Sequence, residues 1–273
     1  MALQTLEEKK AFVQKFNVFD DTFFEMVAKD KGAVEDILRI VFHDPKLEIL
    51  QLTPQNSVRN LYGRSVRLDA LCVMGDGNYI TVEIQKSDDD NHLKRTRYIA
   101  SCITTNVTEP GDRFEHVSDV CVVYISKFDL FRKRRRMYHV GKALLDMKEV
   151  TPVDDGERFI YVNGDSNVDA EAEDNDVAEL MEYFKNSNGR NEKFPNLSNR
   201  VESLKNDEKE VMAMCELVEK YAEEKKVESA IESAVKTAQT FGQTKETIIK
   251  YIASEFLLNE ESAAQKVTLY WRQ

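Results

Sequence analysis

Two acidic residues lie in neighbouring segments of the chain whose alternating pattern predicts a β-hairpin. Residues 64–74 and 79–85 place apolar side chains at every second position, and the glycine-rich residues 75–77 between them indicate a turn. Both apolar sets must face one core, which requires a loop of odd length. A three-residue loop closed by a left-handed glycine meets this requirement and places Asp69 directly opposite Glu83.

This pairing predicts a site for a divalent cation. Two carboxylates on facing strand positions, with Cβ atoms about 5 Å apart, repel each other unless a cation lies between them. Oxygen ligands from Asp69, Glu83 and the backbone carbonyl of Ile84 would suit Mg²⁺ or Mn²⁺ rather than zinc or copper. Such an ion can polarise a phosphoryl oxygen and offset charge on a leaving group. Gln85 projects from the same face.

An alternative interpretation is that the two acids lie on a solvated sheet face, where Arg67 pairs with one of them. The segment after the hairpin favours the functional interpretation. Residues 91–106 are predicted to form a helix, and Lys94, Arg95 and Arg97 open it close to the same end of the sheet. Lys94 and Arg97 are three residues apart and share a helix face, which could meet a phosphate backbone.

The remaining pattern predicts an α/β domain over residues 1–185 and a helical region over residues 186–273. A solvated acidic connection and a segment rich in Asn, Ser, Gly and Pro separate them. The predicted elements are a helix over residues 19–42 broken near Gly32, strands over 47–52, 116–128 and 158–163, and helices over 197–226, 227–241 and 245–258 before one ending at Trp271.

Composition restricts the classes of partner and site. With 49 acidic and 38 basic residues the net charge is -11, so binding to nucleic acid must use a local basic surface. The densest basic run, residues 132–136, is either a phosphate-binding loop or a solvated one. The four cysteines form no C-x-x-C pair, which argues against a zinc ribbon. No run approaches the ~20 apolar residues of a membrane helix. Residues 1–15 are charged, so we expect a cytoplasmic protein with no membrane partner.

Taken together, several short segments resemble the PD-(D/E)XK nuclease superfamily. Within it they are most similar to the bacterial branch of recombination-promoting nucleases and transposase-like proteins. The similarity covers about residues 17–185 and the helical tail more loosely. The matching segments are Asp21-x-x-Phe24, Arg67-Leu68-Asp69, Val82-Glu83-Ile84-Gln85, Arg95-Thr96-Arg97-Tyr98, Ile160-Tyr161-Val162-Asn163 and Glu179-Leu180-Met181.

The resemblance implies a restriction-endonuclease-like mixed sheet flanked by helices, with an α-β-β-β-α-β core that cleaves DNA. It implies that Asp69 and Glu83 hold metal and that Gln85 replaces the lysine of the name-giving motif. Glutamine can orient water but cannot serve as a base. The resemblance also implies a further acid from the first helix, where Asp21 fits, although an aspartate at a helix start is more often a cap than a metal ligand.

Two functions are therefore expected. The leading one is a metal-dependent DNA endonuclease, with Lys94, Arg95 and Arg97 contacting DNA. The alternative is a catalytically degenerate nuclease-fold module that binds nucleic acid or protein. Cutting both strands requires two active sites, so a homodimer is one expectation. The helical tail either mediates self-association or packs back on the nuclease domain.

Overall fold

The computed structural model describes residues 5–59 and 65–271, which form α-helices and β-strands in a mixed order. The helices are α1 (Leu6–Val13), α2 (Asp21–Val27), α3 (Lys31–Phe42), α4 (His92–Val107), α5 (Asn175–Asn186), α6 (Pro195–Asn206), α7 (Glu208–Thr240), α8 (Lys245–Glu255) and α9 (Glu260–Tyr270). The strands are β1 (Ile49–Arg59), β2 (Ser65–Met74), β3 (Tyr79–Gln85), β4 (Val120–Ser126), β5 (Met137–Val140), β6 (Lys142–Leu144), β7 (Thr151–Val153) and β8 (Glu157–Asn163).

A six-stranded mixed sheet of order β1-β2-β3-β4-β8-β5 forms the centre of the first part of the chain. Neighbouring strands run antiparallel from β1 to β3, parallel from β3 through β4 to β8, and antiparallel again at β5. Strands β6 and β7 form a separate two-stranded ribbon. The expected fold class, a mixed sheet flanked by helices and followed by C-terminal helices, is confirmed, as is the α-β-β-β-α-β order of its core.

The predicted hairpin register is confirmed. Ala70 lies opposite Val82 and Cys72 opposite Ile80. The turn closes with the Gly77 amide donating to the Met74 carbonyl at 3.0 Å, and Gly77 has a φ of 84°, a conformation that favours glycine. Residue Arg64, where we expected the strand to begin, lies outside the described residues.

Both faces of the hairpin are covered, although the alternating pattern predicted only one buried face. Helix α4 packs Ile99 and Ile103 against Leu71 and Val122 on the side of the sheet that carries the acids. The residues that alternate with the acids, Ala70, Cys72, Val82 and Ile84, are buried as well. The alternative interpretation of a solvated acidic face is therefore wrong for Glu83, which is only 1% exposed.

The break in the first predicted helix lies at residues 28–30, just before Gly32. Asp30 begins α3, and its carboxylate accepts the Ala33 amide at 2.9 Å. His43 ends the same helix in a left-handed conformation with a φ of 51°. Local capping chemistry thus sets both ends of α3.

The chain divides into two compact units, residues 1–214 and 215–273. In the second unit, Ile231, Val235, Ile252 and Val267 form the centre of a bundle made by α7, α8 and α9. Our domain boundary at residue 185 stays a prediction, while residues 186–214 belong to the first unit.

Two further expectations concern this part of the chain. The predicted helix break near residue 226 is wrong, because α7 is continuous from Glu208 and the break precedes it at Asp207. No helix among the described residues is long and apolar enough to cross a membrane. The cytoplasmic location stays a prediction.

Candidate active site

Asp69 lies where the pairing of β2 with β3 stops. Ala70 is the residue of β2 at which the backbone pairing with β3 ends. Beyond it, the side chain of Asp69 accepts the Ile84 amide through Oδ2 at 2.9 Å. Burial raises the pKa of Asp69 to about 6, against the lowering effects of the Ile84 amide and the Arg95 guanidinium. The contact with Ile84 is thus made by its amide, and the predicted ligand role of its carbonyl remains untested.

Glu83 is the more buried of the two acids. The Thr81 hydroxyl donates to its Oε1 at 2.8 Å, while Oε2 is buried without a hydrogen-bond partner among the described residues. Burial, followed by the charge of Asp69, raises the pKa of Glu83 well above its usual value. A buried carboxylate oxygen without a donor is costly, and such an atom calls for an explanation beyond folding.

The helix that covers the acids supplies positive charge. The Asn91 side chain caps α4 by accepting the Lys94 amide at 3.1 Å. Arg95, one residue on, lowers the pKa of both Asp69 and Glu83, and its Nε is buried with no hydrogen-bond partner in the described part of the chain. A groove of about 540 Å³ opens beside it, lined by basic side chains. They are Arg67, Lys94, Arg95 and Arg97.

Ion pairs tie α2 to the two strands that carry the acids. Glu25 accepts from Arg67 of β2 at 3.0 Å, and Asp20 pairs with Lys86, which directly follows β3. Arg67 therefore pairs mainly with a helix residue and not with the strand acids. Asp21 lies between these ties, and its charge raises the pKa of Asp69. Asp20 holds the N-cap position of α2 without a side-chain capping hydrogen bond, and Asp21 lies in the first turn of the helix.

Gln85 stands at the end of β3, partly exposed. Its amide nitrogen donates to the Ser87 carbonyl at 2.7 Å, which fixes the orientation of the side chain and leaves its carbonyl oxygen as an acceptor. The structure thus brings Asp69, Glu83 and Arg95 together. Lys94 and Arg97 lie along the adjoining groove.

A family model of the PD-(D/E)XK nuclease family transposases matches residues 27–261, most of the chain. The chain belongs to this family. The match includes the hairpin acids and α4 but begins after Asp21. Comparison with curated proteins and comparison with solved structures gave no match.

PD-(D/E)XK nucleases generally use divalent metal ions, and the residues present fit such an ion. The unpartnered Glu83 Oε2 and the second oxygen of Asp69 offer two hard anionic donors. The described residues contain no group of three or more His, Cys, Asp and Glu side chains arranged to hold a metal. Protein backbone, water or substrate oxygens would therefore have to complete the coordination, as is usual for Mg²⁺.

Sequence reasoning missed several polar residues that support this PD-(D/E)XK site. Tyr124 of β4 is the register neighbour of Glu83, and its hydroxyl lies 2.8 Å from His92 Nδ1 of α4. The opposite nitrogen of His92 is 3.2 Å from an oxygen of Asp88, although the geometry is not that of a hydrogen bond. Tyr124 gave no signal in the sequence because it lies in a mostly apolar strand.

Proposed function

We propose that the chain is a Mg²⁺- or Mn²⁺-dependent DNA endonuclease that hydrolyses phosphodiester bonds at the Asp69–Glu83 pair. The observation that carries the proposal is the buried, unpartnered Oε2 of Glu83 beside a second carboxylate with a raised pKa. Folding alone gains nothing from a buried acid placed beside a second, partly exposed one, whereas a bound cation would relieve both the repulsion and the missing hydrogen bond.

In this proposal Asp69 and Glu83 hold the cation, with the backbone of Ile84 as an additional oxygen donor. The cation supplies electrostatic stabilisation of the charge that develops on the phosphate and on the leaving oxygen. Asp21 lies near enough to influence Asp69 and would add a third carboxylate to the site.

The other residues bind and orient the substrate. Lys94 and Arg97, both exposed on α4, bind phosphates along the groove, and Arg95 faces the phosphate that is attacked. The free oxygen of the Gln85 amide accepts a hydrogen bond from the attacking water and thereby orients it. Water forms the new P–O bond as the bridging P–O bond breaks. Its proton passes to a substrate phosphate oxygen or to solvent, since glutamine cannot accept it.

Nicking of supercoiled plasmid DNA with Mg²⁺ or Mn²⁺ tests this function. We expect the wild type to nick and Glu83→Gln to lose about 10³-fold in rate, because several kcal/mol of transition-state stabilisation disappear. Asp69→Asn should lose a similar factor. The matched control is Glu115→Gln, which makes the same chemical change at an exposed glutamate.

Equal nicking rates for Glu83→Gln and the control would show that Glu83 is not part of the active site. No nicking by any of them, together with unimpaired DNA binding, would favour the rival function, a catalytically degenerate module. The absence of a lysine at Gln85 is the feature that favours this rival. One chain carries one proposed site, so cleavage of both strands would require a homodimer or two successive events.

A further inference from the structure

The basic run after β4 divides into two parts with different surroundings. Arg136 is buried, and its guanidinium pairs with Glu173 at 2.7 Å and donates to the carbonyl of Asp165 at 3.0 Å. It anchors the chain and is not free to bind a ligand. The four preceding residues, Arg132, Lys133, Arg134 and Arg135, are exposed, and we call them the basic loop.

One carboxylate holds the basic loop in its conformation. Asp129 accepts the backbone amides of Arg132 at 3.0 Å and Arg134 at 2.7 Å, and the Tyr138 hydroxyl at 2.7 Å. Arg132 and Arg134 have φ values of 54° and 55°, a left-handed conformation that side chains other than glycine rarely adopt. Such a conformation persists only where surrounding contacts impose it, and it is typical of functional loops.

Aromatic packing fixes the same segment to the sheet and to α4. The Phe131 ring lies 4.8 Å from that of Tyr138 and 5.1 Å from that of Tyr161. Phe128, at the start of the segment, packs against His92 of α4 with ring centroids 5.1 Å apart. The basic loop is therefore seated on the protein at both ends.

The basic loop lies at the end of the sheet that carries the candidate site. Strands β3 and β4 are parallel, so their carboxyl ends share one edge, and the Lys127 amide donates to the Gln85 carbonyl at 2.9 Å. Arg132 approaches Asp88, in the segment between β3 and α4, to 3.9 Å. The basic loop thus lies beside the segment that joins β3 to α4, the helix that carries the basic groove.

Acidic neighbours leave most of the basic loop's charge available. Arg134 pairs with Asp169 at 2.9 Å, and Arg132 is only loosely paired at 3.9 Å while 85% exposed. Lys133 and Arg135 have no ion-pair partner among the described residues. Three cations therefore remain for a ligand, in a protein whose net charge is -11.

We propose that the basic loop binds the backbone of duplex DNA outside the phosphate that is cleaved, through Arg132, Lys133 and Arg135. A polyanion that occupies the α4 groove and continues past Asp88 reaches these cations, and a duplex presents one charge per about 1.7 Å of its axis. The inference rests on the proposed function. It adds a second, separate contact region for the substrate.

Binding of a DNA duplex at several salt concentrations tests the inference, measured in the Glu83→Gln background so that no cleavage is needed. The test variant carries Arg132→Gln, Lys133→Gln and Arg135→Gln. The matched control carries Lys46→Gln, Arg113→Gln and Arg158→Gln, which remove the same charge at exposed positions. Lys46 and Arg158 lie close to the opposite end of the strands.

We expect the test variant to bind about tenfold more weakly at low salt, with the slope of log affinity against log salt reduced by about 2 to 3. The control should match the parent protein. Equal behaviour of the two triple variants would overturn the inference, while nicking by the wild type would still support the proposed function. Failure of the parent itself to bind DNA would overturn both. A loss confined to single-stranded DNA would contradict the duplex assignment.

A second variant tests the organised conformation without removing charge. Tyr138→Phe deletes the hydroxyl that donates to Asp129 and accepts the Arg135 amide. We expect about threefold weaker binding with an unchanged salt slope, because a loop that is less ordered must be ordered on binding. Binding equal to that of the parent would show that the organised conformation is not needed.

Discussion

Asp36 and Glu83 are both buried acids, but their surroundings differ completely. Asp36 of α3 is 3% exposed and accepts the amides of Asn196 and Leu197, at 2.6 and 3.1 Å, at the start of α6. Its other oxygen accepts the Asn196 side chain at 3.0 Å. Glu83, at 1% exposed, accepts the Thr81 hydroxyl through one oxygen, while its other oxygen has no hydrogen-bond partner among the described residues.

The difference in hydrogen-bond donors distinguishes an acid that stabilises the fold from one that is available to a ligand. An acid that is buried to hold two helices together is supplied with donors by those helices, because an unsatisfied charge would destabilise the fold. Glu83 lacks that supply although α4 covers it, and a second acid stands beside it. We infer that its missing partner is a ligand.

The largest expected effect concerns Asp36. Asp36→Ala leaves the amides that start α6 without acceptors, so we expect the free energy of unfolding to fall by about 2–3 kcal/mol in urea titrations. Glu83→Gln should change it little or raise it, since no donor loses its only acceptor. Asp146→Ala, at an exposed site, serves as the control. Similar destabilisation by Asp36→Ala and Glu83→Gln would erase the contrast between the two acids.

A smaller effect concerns pH in metal-free buffer. The pKa of Asp69 is about 6 in the folded chain against 3.8 as its reference, so the folded state holds the extra proton between these values. Stability from this group is therefore fully present below pH 4 and is lost as the pH rises through 6. We expect a loss of about 1–2 kcal/mol, reduced by the partial exposure of Asp69. Unfolding curves of Asp69→Asn should lack this component, and an identical pH profile would contradict the assignment.

The smallest expected effect concerns a hydrogen bond between two uncharged side chains beneath α4. The hydroxyls of Thr96 on α4 and Tyr161 on β8 lie 2.8 Å apart in a buried position. Tyr161→Phe removes that hydrogen bond, and Thr96 can still donate to the Leu93 carbonyl. We expect a loss of about 1 kcal/mol in the free energy of unfolding, without an effect on metal binding. A change in metal affinity would mean that the polar layer under α4 acts as one unit with Glu83.

Sequence could predict the hairpin because parity and turn chemistry are local. The spacing of apolar residues and the glycines at 75 and 77 were enough to predict the register in which Ala70 lies opposite Val82. The same pattern could not reveal that α4 buries the polar face of β3, since the polar residues Thr81 and Glu83 give no apolar signal on that face.

Other features depended on partners far along the chain. By sequence, Arg136 belongs to the basic run of residues 132–136. Only its ion pair with Glu173, far along the chain, shows that it is buried and not available to a ligand. Strand β5 and the β6–β7 ribbon are short, largely exposed segments with weak alternation, so the pattern did not indicate them. The unbroken α7 escaped prediction because its Glu and Lys residues give no clear apolar face.

The most direct test of the central claim is Mn²⁺ binding at pH 8, measured by titration calorimetry and by thermal unfolding. We predict that the wild type binds Mn²⁺ and gains thermal stability, about 2.7 kcal/mol at a concentration 100 times the dissociation constant. Glu83→Gln should lose both signals, while Glu115→Gln should keep them. Equal Mn²⁺ binding by wild type and Glu83→Gln, or none by the wild type, would contradict the claim that these two carboxylates form a metal site.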